Sequence, residues 1–290
     1  MTDHLSDEAR LQLETLDTAA RCAAIEAQRW IGYPAAMRAL DALTQIRERP
    51  TSTRTAGVAV CGPFRNGKTM VADKFLSMET VQIRPSHYYQ LPTAATRMEF
   101  LTGMIRAMGR VPDPTHRTIE GRRQQLESLL DEHEPRVFVF DDAHHGFRGS
   151  AAADFHTLLR VMGHRWDMSP VLIGDRSLAE TIHNDGELRT RLANRPLPRW
   201  QYDADYARLL NSLVRALPLR RKSDLTEEPL AKRIFLVAEG LIGDIVQNVA
   251  AAAVAAVRAG EERITVEIFD SLNLEAPSKR FSPDELRGLA

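Results

Sequence analysis

The sequence predicts an α/β protein: a parallel sheet with helices on both faces, a helical segment before it and an all-helical region after it. Three observations carry this. Short β-prone runs alternate with longer segments of period near 3.6, a glycine-rich loop joins the first such run to a helix, and after Trp200 the β-prone runs stop. At 290 residues, 43% hydrophobic and 27% charged, the chain has ordinary globular composition and can build a core. Lys and Arg number 38 against 39 Asp and Glu, a net charge of −1. That excludes a polycation, so any nucleic-acid contact has to come from a local basic patch. Two cysteines, Cys22 and Cys61, exclude a disulfide framework and a Cys-rich zinc module. The longest strongly apolar stretch, Val249 to Val257, is too short to span a bilayer, and the first residues lack the basic and apolar regions of a signal peptide. The expectation is a soluble, cytoplasmic protein with no membrane partner.

The elements follow in chain order. Residues 1–55 read as an N-terminal helical segment, opened by the cap signal Ser6-Asp7-Glu8. Trp30-Ile31-Gly32-Tyr33-Pro34 interrupts it, a second helix runs from about Ala35 to Arg47, and a polar link closes it over 50–55. The α/β core is expected over 56–200, with strands at Gly57–Cys61, His87–Leu91, Val137–Phe140 and Val171–Ile173. Between them Met98, Leu101, Ile105 and Met108 repeat at helical spacing, as do Phe155, Leu158, Leu159 and Met162. A helical lid is expected over 201–274, with Asp203, Thr226 and Thr265 as N-caps and the alanine-rich Asp244–Ala259 as a strong helix former. Pro277, Ser278 and Pro283 mark a loosely held tail over 275–290.

Gly62-Pro63-Phe64-Arg65-Asn66-Gly67-Lys68-Thr69 matches the phosphate-loop pattern G-x-x-x-x-G-K-[ST] at every defined position. Gly62 and Gly67 let the backbone curl so that the N–H groups of Arg65, Asn66 and their neighbours point at phosphate oxygens. Lys68 adds a point charge between the β- and γ-phosphates, and the Thr69 hydroxyl can ligate Mg²⁺. The helix beginning there, through Met70, adds its positive dipole end. The β-prone run Val58–Cys61 leads in, and apolar Val71, Ala72, Phe75 and Leu76 lead out, as the pattern requires.

A nucleotide-hydrolysing loop of this kind needs an acid at a strand end on the metal side and a group that orients the attacking water. Val137-Phe138-Val139-Phe140-Asp141-Asp142 is an apolar strand ending in two acids. Asp141 is the metal-side candidate and Asp142 the water-side one, with capping of the next turn as the alternative role for Asp142. His144 and His145 follow, but consecutive ligands are poorly spaced for one metal face.

With both motifs present, the chain resembles the TniB family of AAA+ ATPases, the ATP-dependent target-selection regulators of multi-protein DNA transposition systems. The resemblance runs from about Arg29 to Leu272. Its most specific segments are Trp30-Ile31-Gly32-Tyr33-Pro34 and Leu197-Pro198-Arg199-Trp200, with Leu217–Arg221 and Glu239–Gly243 also matching. It implies an AAA+ P-loop core with ATP and Mg²⁺ as cofactors, Ile31 and Tyr33 at the adenine, and Asp175 at the first sensor position. Arg191 would reach the nucleotide of a neighbouring subunit. It further implies self-assembly into a ring or helical filament, whose bore would hold duplex DNA largely without regard to sequence through residues near Arg97, Arg117 and Thr118. The remaining implied partners are a transposase and a target-selecting accessory protein.

Three departures from the family pattern point to slow hydrolysis. The second acid is Asp142 where Glu is usual, Asp175 replaces a neutral polar sensor, and no arginine follows Gly243-Asp244-Ile245-Val246. Two other readings share the motifs: a helicase-loader or initiator-like ATPase, and a scaffold that binds nucleotide without turning it over.

Overall fold

The computed structural model describes residues 3–50, 56–79 and 84–280. The polar link over 51–55 and the last ten residues of the expected tail lie outside these. The described chain forms two compact units, one spanning Gly32–Pro198 and the other made of the residues up to Ile31 together with those from Arg199 onward.

The first unit is built on a five-stranded sheet, β1 (Gly57–Cys61), β2 (Ser86–Gln90), β3 (Val137–Asp141), β4 (Ser169–Gly174) and β5 (Leu192–Asn194). The order is β2-β3-β4-β1-β5 and every pairing is parallel. Strands β1, β3 and β4 are buried along their whole length, which is why they read as continuous apolar runs. The chain order demands crossovers, and helices supply them on both faces. α3 (Pro34–Glu48) and α4 (Lys68–Ser77) pack on each other and on β1 and β4. Opposite them, α5 (Arg97–Ala107), α6 (Ile119–His133), α7 (Ala152–Trp166) and α8 (Arg176–Asn184) enclose the larger core with Phe138 and Phe140 of β3. Phe140 meets Phe155 of α7 edge-on at 5.1 Å, and Phe155 meets Phe100 of α5 at 5.7 Å, the geometry aromatic pairs prefer. The short α9 (Gly186–Arg191) leads into β5.

The second unit is all helical: α1 (Asp7–Thr15), α2 (Thr18–Glu26), α10 (Ala204–Ala216), α11 (Glu228–Ala238), α12 (Ile242–Arg258) and α13 (Val266–Ser271). α2 lies on α12 and α1 on α10. Arg21 grips Glu262 with its two terminal guanidinium nitrogens at 2.5 and 3.1 Å, and Arg29 donates to the Ala216 and Ala24 carbonyls at 2.6 and 2.7 Å. This packing divides the expected N-terminal segment: α1 and α2 join the helices that follow Trp200, whereas α3 belongs to the sheet. Helical propensity in the first fifty residues is local, whereas the late helices that pack on α1 and α2 lie far along the chain.

Ser6, Asp203 and Thr265 cap α1, α10 and α13 as expected. Thr226 does not cap a helix. Its backbone N–H and hydroxyl both bond Asp224, an Asx-type turn, and α11 starts two residues later with Pro229 in its first turn. No helix among the described residues is long and apolar enough to cross a membrane.

Candidate functional site

The site lies at the carboxyl ends of β1, β3 and β4, where parallel sheets place their ligands. The loop leaving β1 curls through two left-handed residues, Arg65 at φ 57° and Gly67 at φ 78°. Gly62 is required by a close approach: a Cβ there would stand 2.4 Å from the Leu197 carbonyl oxygen. Asn66 is fully buried and donates to the Leu197 and Pro198 carbonyls at 2.7 and 2.8 Å, tying the loop to the segment after β5. Tyr33 donates its hydroxyl to the Asn66 carbonyl at 3.4 Å, and burial pushes its phenol up to about 12. Tyr33 lies in the sheet unit and Ile31 in the helical one.

Lys68 opens α4, and its ammonium donates to the Gly62 and Pro63 carbonyls at 3.0 and 2.7 Å, with the exposed Phe64 ring 5.5 Å away. Burial lowers its pKa, while Asp141, Asp142 and Asp175 pull it back up. The first turn of α4, including Thr69 and Met70, offers backbone N–H groups that have no partner within the helix.

The acids at the end of β3 are held from two sides. Asp141 is buried, and its Oδ2 accepts from the Thr69 hydroxyl at 2.8 Å and the Tyr88 hydroxyl at 2.9 Å. Its Oδ1 accepts from the Asp142 N–H at 2.8 Å. Burial and the Asp141 charge push the Tyr88 phenol well above its ordinary range, so it remains a donor. Asp142 sits in the left-handed region at φ 50° and makes no side-chain cap to the 3₁₀ turn Ala143–Phe147. Its carboxylate accepts from Gln90 Nε2 at 3.0 Å instead. Thr69 and Asp141 thus bring a hydroxyl and a carboxylate together beside the loop, a hard-oxygen pair that suits Mg²⁺. The glycine cradle, the lysine and the helix N-terminus suit a polyphosphate.

Gln90 and Tyr88 belong to no motif of the sequence. They reach the acids because β2 pairs with β3 in a register that sets Gln90 opposite Asp141. A Gln at the carboxyl end of a strand is the available signal, but only the strand order reveals which acid it meets.

Asp175, which the family resemblance implies at the first sensor position, follows β4 and caps α8. Its Oδ1 accepts from the Ser177 N–H at 2.9 Å, the Ser177 hydroxyl at 2.7 Å and the Leu178 N–H at 3.4 Å, capping α8. Burial pushes its carboxyl up, but the Ser177 hydroxyl and N–H, His144 and the Leu178 N–H outweigh that and hold it below the usual range. His144 lies with Nδ1 3.8 Å from the same oxygen. Arg191, at the end of α9, is paired within its own chain, donating to the Arg160 carbonyl at 2.9 Å and meeting Glu187 at 2.5 Å.

The residues implied at DNA stand at the starts of α5 and α6, which pack together. Arg97 meets Asp154 through Nε at 2.5 Å and Nη2 at 3.1 Å, and Arg123 meets the same carboxylate at 2.9 Å. Arg117 is exposed and donates to the Pro114 carbonyl at 3.2 Å. The Thr118 hydroxyl caps α6 by accepting from the Gly121 N–H at 3.0 Å. Arg122 is buried against Gln125, not offered to a ligand.

Sheet order, a phosphate loop after β1 and acids ending β3, with β4 lying between the two strands, define a P-loop protein of the AAA+ class. Solved structures agree on the fold. The Aeropyrum pernix ORC2 protein in its ADPNP–ADP complexes is 15% identical with a TM-score of 0.60, covering 92% of this chain and 74% of its own. Cdc6p from Pyrobaculum aerophilum is 14% identical with a TM-score of 0.67, covering 90% and 72%. The Aeropyrum pernix ORC1 protein in complex with DNA is 16% identical with a TM-score of 0.61, covering 82% and 63%. The chain itself belongs to the TniB family: the model described as "Bacterial TniB protein" matches residues 21–202. No curated protein matches the chain.

Proposed function

We propose that this protein is an ATP-switched, oligomerising, DNA-binding regulator of DNA transposition, acting in target selection and in recruiting a transposase. The observation that carries the reading is the TniB match over residues 21–202 enclosing an intact phosphate loop and its paired acids. Gly62, Arg65, Asn66, Gly67, Lys68, Thr69 and Met70 would hold the triphosphate, Ile31 and Tyr33 the adenine, and Thr69 with Asp141 the Mg²⁺. When bound, Mg²⁺ would neutralise phosphate charge. Asp142, steadied by Gln90, would accept a proton from the attacking water, and Arg191 would act on the nucleotide of a neighbouring subunit.

Turnover is expected to be slow. Asp142 reaches one methylene less than a glutamate, and the carboxylate of Asp175 is engaged at α8, offering no neutral donor to phosphate. A slow site suits a switch whose ATP-bound state has to persist through assembly. Duplex DNA would be gripped through phosphates by Arg97 and Arg117, with Thr118 ordering the start of α6, so sequence preference would be small. A target-selecting accessory protein completes the expected partners, in the cytoplasm.

Electron microscopy with duplex DNA and a non-hydrolysable ATP analogue tests this reading. Rings or filaments on the duplex that require the analogue are expected; single subunits scattered under all nucleotide conditions would refute it. A scaffold that binds ATP without turnover is the second reading, favoured by the capping role of Asp175. It would assemble equally but show no DNA-stimulated phosphate release.

A further inference from the structure

α7 and α9 meet in a compact charge cluster that includes Arg191. Glu187, in the first turn of α9, lies between two guanidinium groups: its Oε1 is 2.5 Å from Arg191 Nη2, and its Oε2 is 2.6 Å from Arg160 Nε. Each arginine therefore has its own carboxylate oxygen. Arg191 also donates to the Arg160 backbone carbonyl at 2.9 Å, which lays its side chain back along α9 towards α7. The helix beneath is pinned independently. Asp185 caps α9 through the Glu187 and Leu188 N–H groups at 2.9 and 3.0 Å and meets His156 of α7 at 2.6 Å. Arg189, on the same short helix, is exposed and adds a further positive charge.

We propose that Glu187 is a keeper of Arg191: it holds the arginine within the isolated subunit and is taken over by Arg160 when Arg191 turns to the nucleotide of a second copy. This rests on the reading of Arg191 as acting in trans. Removing a cation from a partly buried carboxylate normally leaves an uncompensated charge, and that cost would hold Arg191 in place. Here Glu187 retains Arg160 on its other oxygen, so Arg191 can leave without stranding it. Because Asp185 and His156 fix α9, the move needs side-chain rotation only. Glu187 and Arg160 are positioning residues in this scheme, opposed in their effect on Arg191.

Their opposition makes the test. The protein concentration giving half-maximal assembly is measured with a non-hydrolysable ATP analogue, for Glu187→Gln, Arg160→Gln and Arg191→Ala. Glu187→Gln frees Arg191 and is expected to lower that concentration about two- to five-fold, the range of a partly exposed ion pair. Arg160→Gln leaves Arg191 as the sole cation on Glu187 and is expected to raise it by a similar factor. Both substitutions remove the same α7–α9 ion pair, so a merely structural role would move them in the same direction. Shifts of equal sign, or none, overturn the proposal while an impaired Arg191→Ala variant keeps the trans reading intact. Wild-type assembly and turnover by Arg191→Ala would overturn both.

Discussion

At the scale of single residues, the acids ending β3 decide what the site can do. Asp141 accepts three hydrogen bonds and Asp142 one, from Gln90, so the carboxylate proposed for the metal is fixed while the one proposed for the water is steadied by a neighbouring strand. Asp142→Asn removes the proposed proton acceptor and is expected to lower turnover about a hundred-fold or more, leaving ATP binding intact. Asp142→Glu restores the missing reach and is expected to raise turnover. A phosphate-release assay reads both, and a rate unmoved by either would remove Asp142 from the water-orienting role. Asn66 carries a different load. Asn66→Ala strands the Leu197 and Pro198 carbonyls and is expected to cost about 1–3 kcal/mol of stability, read as a lower urea midpoint. An unchanged midpoint would mean the loop is anchored by other contacts.

At the scale of elements, β2 links the core to the site and carries a titratable group of its own. Burial beside Phe138, with a smaller effect of His133, holds the His87 imidazole down at about 4 against an ordinary 6.5. The folded state therefore binds fewer protons than the unfolded chain between these values. The neutral ring is no penalty above pH 6.5, and stability falls as pH drops from 6.5 through about 4. His87→Phe is expected to flatten the pH dependence of the urea midpoint in that window, and an identical slope in wild type and variant would contradict the assignment. β2 also marks where local sequence pattern stops encoding structure. β1, β3 and β4 are legible because full burial makes each an unbroken apolar run, and the phosphate loop because its backbone geometry demands fixed glycines. Ser86–Gln90 is an edge strand of mixed polarity, so its pairing with β3, and with it the contacts of Tyr88 and Gln90, depends on register that no local pattern encodes. β5 is three residues long and has no periodicity to read. Arg21 and Glu262, which place α2 with the late helices, are 241 residues apart. The cap that Asp175 makes to α8 has a local signal, Asp-x-Ser at a helix start, whereas its sensor position comes from the family resemblance alone.

At the scale of the whole molecule, charge sets the terms of the DNA reading. With 38 basic and 39 acidic side chains, and Arg97 sharing Asp154 with Arg123, one subunit offers little net attraction to phosphate. Assembly would multiply it, because each added copy repeats Arg97 and Arg117 along the duplex. Replacing both by Ala is expected to shallow the dependence of DNA affinity on salt, by roughly one unit of log–log slope for each phosphate no longer neutralised, without changing nucleotide affinity. A wild-type slope in the double variant would exclude these arginines from the DNA contact. In the proposed switch, ATP binding at the phosphate loop turns on assembly and, through assembly, the grip on DNA. Fluorescence anisotropy of a labelled random duplex tests it most directly, titrated with protein in the presence of a non-hydrolysable ATP analogue, ADP or no nucleotide, with Lys68→Ala alongside. The expected result is steep, cooperative binding with the analogue alone, weak binding otherwise, and no response to the analogue in Lys68→Ala. Equal affinity in all three nucleotide conditions, or an undiminished response in Lys68→Ala, would contradict it.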